Sequence, residues 1–399
     1  MSLKNKTLLY VICIAFVISL PGIAFAENGR EASAFERPAQ RKAVDYLREE
    51  VSSVMDQLMT VFPEDARLSF IAAKFYQQCK SPKKVMEVLK KGLVYNPENY
   101  DLNLIAFTVS TKTGDYENAV FYGKKAVSIN PNNIKLHEDL AETFISFGDH
   151  SQAIELLKKK TKTFGPSVRS LWLLGQAHSL AQDYEKARDY YEMALKKGPK
   201  TDIGEHYSRY NIYRALGKVY MRLKQPDKAQ EYMEINRRFM EEVRRRHLGE
   251  SKKRKDDILY DTSRSETYVF SKTLSQLCLE GIKLYNAQEK HEDSQRLFDN
   301  AELIFNRSIE NLSDNADVHR EFAYIYLVTG QKLFYALKLA EKAVKLDQKA
   351  VNYNILGYLY EENKDISKAV SAFEKAFELE PTNPVYKRNY ERVKKEHGR

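Results

Sequence analysis

The chain has 399 residues, of which 43% are hydrophobic and 30% are charged, with a formal net charge of +9 and a mean hydropathy of -0.56. A chain this polar is not a multi-spanning membrane protein, and it is long enough for one large domain or two. Its basic balance favours acidic proteins, anionic lipid head groups or anionic polymers as partners over nucleic acid.

Residues 1–26 have the pattern of a secretory signal peptide. Lys4 and Lys6 precede an apolar run from Leu8 to Leu20, and a small-x-small site ends at Ala26. The run is shorter than the about 20 residues that a membrane-spanning helix needs. We therefore expect cleavage after Ala26 and export to the periplasm or cell envelope, with an uncleaved membrane anchor as the alternative.

The cysteines do not form a disulfide framework. Cys13 lies in the predicted signal peptide, and Cys79 and Cys278 are far apart in the sequence. Disulfide-stabilised domains have several closely spaced cysteines, so this chain is expected to carry two separate, partly buried thiols.

A regular spacing recurs along most of the remaining chain. An interval of 34 residues separates each of Pro97, Pro131, Gly165 and Pro199 from the next, and each of them lies near the end of a block. The predicted blocks are residues 66–99, 100–133, 134–167, 168–201 and 210–243, with two more within 316–383.

Each block contains two apolar stripes with steps of three and four residues, which is typical of two amphipathic helices. Small residues such as Gly175 and Ala187 permit close crossing of the two helices, and large ones such as Tyr191 fill the space between blocks. The turn between the helices is marked by Gly114-Asp115, Gly148-Asp149, Gln182-Asp183 or Lys364-Asp365.

This pattern resembles the tetratricopeptide repeat family, whose unit is a helix-turn-helix of about 34 residues. One unit cannot bury its own apolar stripe, so stacking of units is obligatory. The resemblance implies an all-α fold, a right-handed superhelical α-solenoid of tandem repeats. Residues 384–399 are predicted to form a C-terminal capping helix with a charged outer face.

The pattern breaks in residues 27–65, at eight extra residues, 202–209, between the fourth and fifth blocks, and in a basic region that a stretched block follows. Residues 27–65 are predicted to be an N-terminal helix or a degenerate repeat, and residues 269–315 a degenerate helix pair stretched by an insertion around residues 286–294. Residues 244–268 are interpreted as a basic linker, or as a surface for acidic protein, lipid head groups or polymer. The candidate basic patch comprises Arg244, Arg245, Arg246, Lys252, Lys253, Arg254 and Lys255.

No motif for catalysis, metal binding or cofactor binding is present in the sequence. The histidines are scattered, and none has the His-Glu-x-x-His spacing of a zinc site. His178 occupies a position that is aromatic in other blocks, so we interpret it as a packed core residue. The sequence therefore predicts a protein that is not an enzyme and has no cofactor.

In the resembled family, the first helix of each unit lines a concave groove that receives a peptide or a partner helix. Arg214, Lys218 and Arg222 are four residues apart and would form a cationic ridge, with Trp172 as an aromatic anchor beside it. In the alternative interpretation the ridge is a solvated face and Trp172 fills a gap between helices. The groove positions carried over to this chain are Arg169, Trp172, Gln176, Asn211, Arg214, Lys218 and Arg222.

These patterns predict a non-catalytic scaffold or adaptor of the cell envelope that binds a protein partner in the groove, in envelope assembly or export machinery. The partner is expected to be acidic, with peripheral contact to membrane or anionic polymer and no nucleic acid. The alternative function is an anionic polymer- or polysaccharide-binding module that assists a wall-polymer enzyme.

Overall fold

The computed structural model describes residues 38–198, 208–248 and 262–397, and the predicted signal peptide lies outside them. All regular secondary structure in these ranges is α-helical, in eighteen helices. None of the described helices combines the length and the apolar character that crossing a bilayer requires. The helices are α1 Pro38–Val61, α2 Ala66–Gln78, α3 Pro82–Tyr95, α4 Tyr100–Thr113, α5 Tyr116–Ile129, α6 Ile134–Ser146, α7 His150–Phe164, α8 Val168–Leu180, α9 Tyr184–Lys197, α10 Arg209–Arg222, α11 Pro226–Leu248, α12 Thr262–Ala287, α13 His291–Asn311, α14 Ala316–Thr329, α15 Leu333–Leu346, α16 Ala350–Glu362, α17 Ile366–Leu379 and α18 Pro384–His397.

The chain divides into two compact units. The central unit contains α2 to α11, which form five consecutive pairs of a first and a second helix. The split unit contains α1 together with α12 to α18, so its parts come from both ends of the chain. In the central unit each second helix packs against the first helix of the next pair, which confirms the predicted all-α repeat fold.

Small residues set the distance between the two helices of a pair. Ala119, Ala153 and Ala187 stand at the same position of three second helices, and none has exposed surface. A methyl group on Gly175 would lie 2.6 Å from the Tyr191 ring, so α8 and α9 approach closely only because this position has no side chain.

The turn inside each described pair has a residue in the left-handed conformation, and in four of the eight pairs an aspartate follows it directly. Gly114 has φ +77°, whereas Gln182 and Lys364 both have φ 63°. The aspartate then caps the second helix, as in Asp183, whose carboxylate accepts from the Lys186 N–H at 3.3 Å. The Gly-Asp, Gln-Asp and Lys-Asp pairs of the sequence therefore mark one backbone geometry.

Replacing Gln182 or Lys364 with glycine is expected to stabilise the protein by about 1 kcal/mol each, because a side chain strains the left-handed conformation. Gly114→Ala is the matched control, and it should cost a similar amount because nothing else lies within 4 Å of the added methyl group. Urea unfolding midpoints measure both changes. A lower midpoint for Gln182→Gly would contradict this account of the turn.

The N-terminal helix α1 packs against α12 and α13, which follow in the sequence only after the whole central unit. The Phe62 ring, directly after α1, lies 4.9 Å from the Tyr285 ring, and Arg41 donates to Glu266 at 3.1 Å near the other end of the contact. The region 27–65 thus contributes its helix to the split unit and not to the adjacent repeat. The buried stripe of α1 and the residue after it comprises Ala43, Val44, Leu47, Val51, Val54, Met55, Leu58 and Phe62.

Helix ends differ from the predicted boundaries around the basic region. Helix α11 continues to Leu248 and α12 begins at Thr262, so both helices extend into the region 244–268. The extra length of the pair 269–315 lies in the helices themselves, which have 26 and 21 residues, and the turn between them spans only residues 288–290. The last helix, α18, buries Val393 against Ala369 and Phe373 of α17, in the position of a cap.

Candidate interaction surface

The groove positions on α8 are largely occupied by contacts within the central unit. The Arg169 guanidinium contacts Asp139 at 2.6 Å and also pairs with Glu142, both on α6. Burial alone would lower the pKa of Arg169, but hydrogen bonds to Glu142 and Asp139 outweigh it and raise the pKa. Arg169 therefore joins neighbouring repeats and has little charge left for a partner.

Trp172 is 9% exposed, and its ring lies 5.0 Å from that of Tyr191 on α9. This position agrees with the interpretation of a side chain that fills a gap between helices. Gln176, one turn further along α8, is half-buried. Trp172 is therefore buried between α8 and α9 and is not an exposed anchor.

The structure brings the three basic residues of α10 into one exposed row. Arg214, Lys218 and Arg222 are all exposed and follow each other by one helical turn. Because an α-helix rises by about 1.5 Å per residue, the row from Arg214 to Arg222 is about 12 Å long. The Arg214 guanidinium lies 6.0 Å from the Tyr210 ring centre, and no carboxylate of the described residues forms a salt bridge with any of the three. Asn211, near the start of the row, donates to Ser208 at 3.3 Å.

A buried ionic cluster beside this surface was missed by sequence reasoning. Lys160 has no exposed side-chain surface and donates to Glu138 at 2.7 Å. The Ser167 hydroxyl donates to the same carboxylate oxygen. The equivalent positions one repeat before and one repeat after Lys160 are Ala126 and Ala194. A lysine at a position that is alanine in the neighbouring repeats was therefore the sequence signal for this cluster.

The described part of the basic run is a solvated helix with its own ion pairs. Arg237 and Arg238 both contact Glu234 at 2.8 Å, one turn earlier on α11. Arg244, Arg245 and Arg246 belong to the end of this helix, but their side chains lie outside the described residues. Lys252, Lys253, Arg254 and Lys255 lie wholly outside them.

Comparison with protein families identifies the repeats. The tetratricopeptide repeat profile matches residues 210–234 and 350–383, in both units of the fold. A second profile, subunit 3 of the anaphase-promoting complex or cyclosome, matches residues 112–194. The chain therefore contains tetratricopeptide repeats. Repeats of this kind form extended surfaces that bind protein partners.

The chain is similar to several known proteins. Tetratricopeptide repeat protein 12 of Mus musculus is 25% identical over 101 residues, and the match covers 25% of this chain and 14% of the mouse protein. MamA of Desulfovibrio magneticus RS-1, solved from residue 41 to its end, has a TM-score of 0.39 at 17% identity over 44% of this chain and 96% of that chain. A tetratricopeptide repeat protein of Parabacteroides merdae ATCC 43184 has a TM-score of 0.30 at 16% identity over 74% of this chain and 98% of that chain.

His178 and Cys278 are buried side chains that pack within the described part of the chain. His178 is 4% exposed, and its ring stacks on Tyr190 at 5.4 Å. Burial lowers the pKa of His178, so the ring is neutral at neutral pH. Burial also raises the pKa of the Cys278 thiol to about 12, which makes it a poor nucleophile. Across the described ranges, no three metal-binding side chains form a group that could hold an ion.

Proposed function

We propose that this protein is a non-catalytic scaffold of the cell envelope, which binds an acidic peptide or helix of a partner protein on the first helices of its central unit. The observation that carries the proposal is the exposed row of Arg214, Lys218 and Arg222, which has no neutralising carboxylate among the described residues. The family supports the coarser function, because its repeats are protein-interaction scaffolds.

The charges on the other first helices, α6 and α8, favour α10 as the contact site. On α6 and α8, the charges of Glu138 and Arg169 are already paired within the protein. Among these three described first helices, α10 is the one whose row of like charges stays exposed. A partner helix with carboxylates at every fourth residue would match the spacing of this row, because both helices rise by the same distance per turn.

The place of action is proposed from the sequence alone. The basic start, the short apolar run and the small-x-small site ending at Ala26 support export, and with it a partner in envelope assembly or export machinery. An exported acidic partner would meet the row at the ionic strength of the envelope. Since exposed charge pairs are screened by salt, we expect binding to weaken as salt rises.

Reversing the three charges tests the proposal. Arg214→Glu, Lys218→Glu and Arg222→Glu together should abolish capture of the partner in crosslinking from intact envelopes, because the row would repel carboxylates. The helix content and the urea midpoint should stay unchanged, since all three side chains are exposed.

Lys338→Glu, Lys342→Glu and Lys345→Glu form the matched control. These exposed residues lie on α15 of the split unit and change the net charge by the same amount. Mass spectrometry identifies the captured protein in each case. If the α10 variant still captures the partner that the wild-type protein captures, the proposed contact is wrong.

A further inference from the structure

A second basic surface lies on the outer side of the second helices. Six lysines occupy the same two positions of α3, α5 and α7, and all but the half-buried Lys125 are exposed. We call them the lysine face: Lys90, Lys91, Lys124, Lys125, Lys158 and Lys159.

The repeat makes this face a column. Lys90, Lys124 and Lys158 follow each other at intervals of one repeat, so they occupy equivalent places on three successive second helices. The opposite side of each helix is packed, as Ala119 and Ala153 have no exposed surface. The lysine face is therefore on the solvent-exposed side of the second helices, although the Lys124 ammonium also lies 5.5 Å from the Phe144 ring of the next first helix.

Part of this charge is left without a partner. Lys91 pairs with Glu87 at 3.1 Å, and Lys125 pairs with Glu98. Within the part of the chain that is described, Lys90, Lys158 and Lys159 have no acidic partner.

Apolar side chains stand among these lysines and are unusually exposed. Val94, one turn after Lys90, is 75% exposed, and Phe121, one turn before Lys124, is 63% exposed. Residues three or four apart share a helix face, so both lie in the rows of the lysine face. Scattered exposed apolar residues are ordinary on protein surfaces, but here they share one face with unpaired cations.

We propose that the lysine face docks on an anionic lipid surface. The lysines would contact the charged head groups, and Phe121 and Val94 would enter the boundary between head groups and acyl chains. Basic side chains together with apolar ones are the composition that binds such interfaces. A soluble polyanion would satisfy the lysines but would leave Phe121 and Val94 in water, so the apolar residues favour lipid.

This surface is separate from the proposed partner site. The lysine face lies on second helices, whereas Arg214, Lys218 and Arg222 lie on a first helix. The protein could therefore hold a partner while it is bound to a membrane, and either activity can fail without the other.

Vesicle sedimentation of the chain from Glu27 onward tests the proposal. Phosphatidylcholine vesicles that contain phosphatidylglycerol should bind the protein, with affinity falling as salt rises, and pure phosphatidylcholine vesicles should not. The variant with Lys90→Gln, Lys124→Gln and Lys158→Gln should lose about 100-fold in affinity. The variant with Lys338→Gln, Lys342→Gln and Lys345→Gln removes the same charge from the split unit and should bind like the wild-type protein.

Phe121→Ser separates lipid from polymer as the ligand. On vesicles it should weaken binding by about 10-fold without changing the salt dependence, because it removes the inserted ring and no charge. Three results would overturn the proposal: no binding of the wild-type protein to anionic vesicles, equal losses in the two lysine variants, or unchanged binding of Phe121→Ser. If Phe121→Ser binds vesicles like the wild-type protein, and both bind soluble dextran sulfate with equal affinity, the ligand is an anionic polymer instead.

Discussion

Replacing Glu138 with leucine is expected to destabilise the central unit by about 3–5 kcal/mol. The side chain of Lys160 has no exposed surface and donates to Glu138 at 2.7 Å, so removal of the carboxylate leaves a buried ammonium without its counter-charge. An unpaired charge in a protein interior costs far more than the transfer of a neutral side chain. The loss should appear as a lower urea midpoint of the central unit.

The double variant Glu138→Leu with Lys160→Met is the control that assigns this loss to the charge. Replacing both partners of a buried ion pair by apolar residues of similar volume is often neutral or stabilising. The urea midpoint should therefore return to the wild-type value or exceed it. A double variant as unstable as Glu138→Leu alone would show that the packing of Glu138, and not its charge, supports this junction.

The single variant also bears on the interaction surface. Glu138 lies on α6, Lys160 on α7, and Ser167 caps α8 while it donates to the same carboxylate. The cluster thereby links three consecutive helices next to Arg169. Loss of Glu138 should loosen α8 before it affects the exposed row on α10, which lies one repeat further along.

The repeat architecture could be predicted from the sequence because its signals are local. Gly175 and Ala187 are small where two helices cross, and Gln182-Asp183 marks a turn whose geometry forces one left-handed residue. Each of these requirements acts within one pair of helices. Because the blocks are regularly spaced, the same requirement recurs in one block after another. The helix of the cationic row was predicted in the same way, since a spacing of four residues fixes a helix face wherever the helix lies.

Other features depend on contacts that no local pattern encodes. The groove position of Arg169 was carried over from the family, but its partners Asp139 and Glu142 come from the preceding repeat and neutralise it. Trp172 looked like an anchor because it is large, whereas its neighbour Tyr191 gives it a place in the packing. The apolar stripe of α1 shows that the helix must be covered, but not that α12 and α13 cover it.

Removing residues 38–63 is expected to unfold the split unit and to leave the central unit folded. The deletion takes away α1 and Phe62, and it uncovers the surfaces of α12 and α13 on which their eight buried apolar side chains pack. Burial of one such side chain contributes about 1.5–3 kcal/mol, so the sum is comparable with the about 5–15 kcal/mol that stabilises a whole domain. Hydrogen exchange should show loss of amide protection in α12 and α13, and unchanged protection in α4 to α9.

A peptide of residues 38–63 added to the deleted protein should restore that protection, because α1 joins the split unit through side-chain contacts and not through chain continuity. Two single substitutions in the full chain test the same contact of α1 without removing the helix. Leu58→Asp places a charge where only 1% of the side chain is exposed, and it should lower protection of α12, whereas Val61→Asp, at 43% exposure, should not. Gly281 shows how closely α1 and α12 approach, since a methyl group at this position would lie 2.7 Å from Leu58. Equal protection of α12 in both substituted proteins would mean that α1 only accompanies the split unit and does not hold it together.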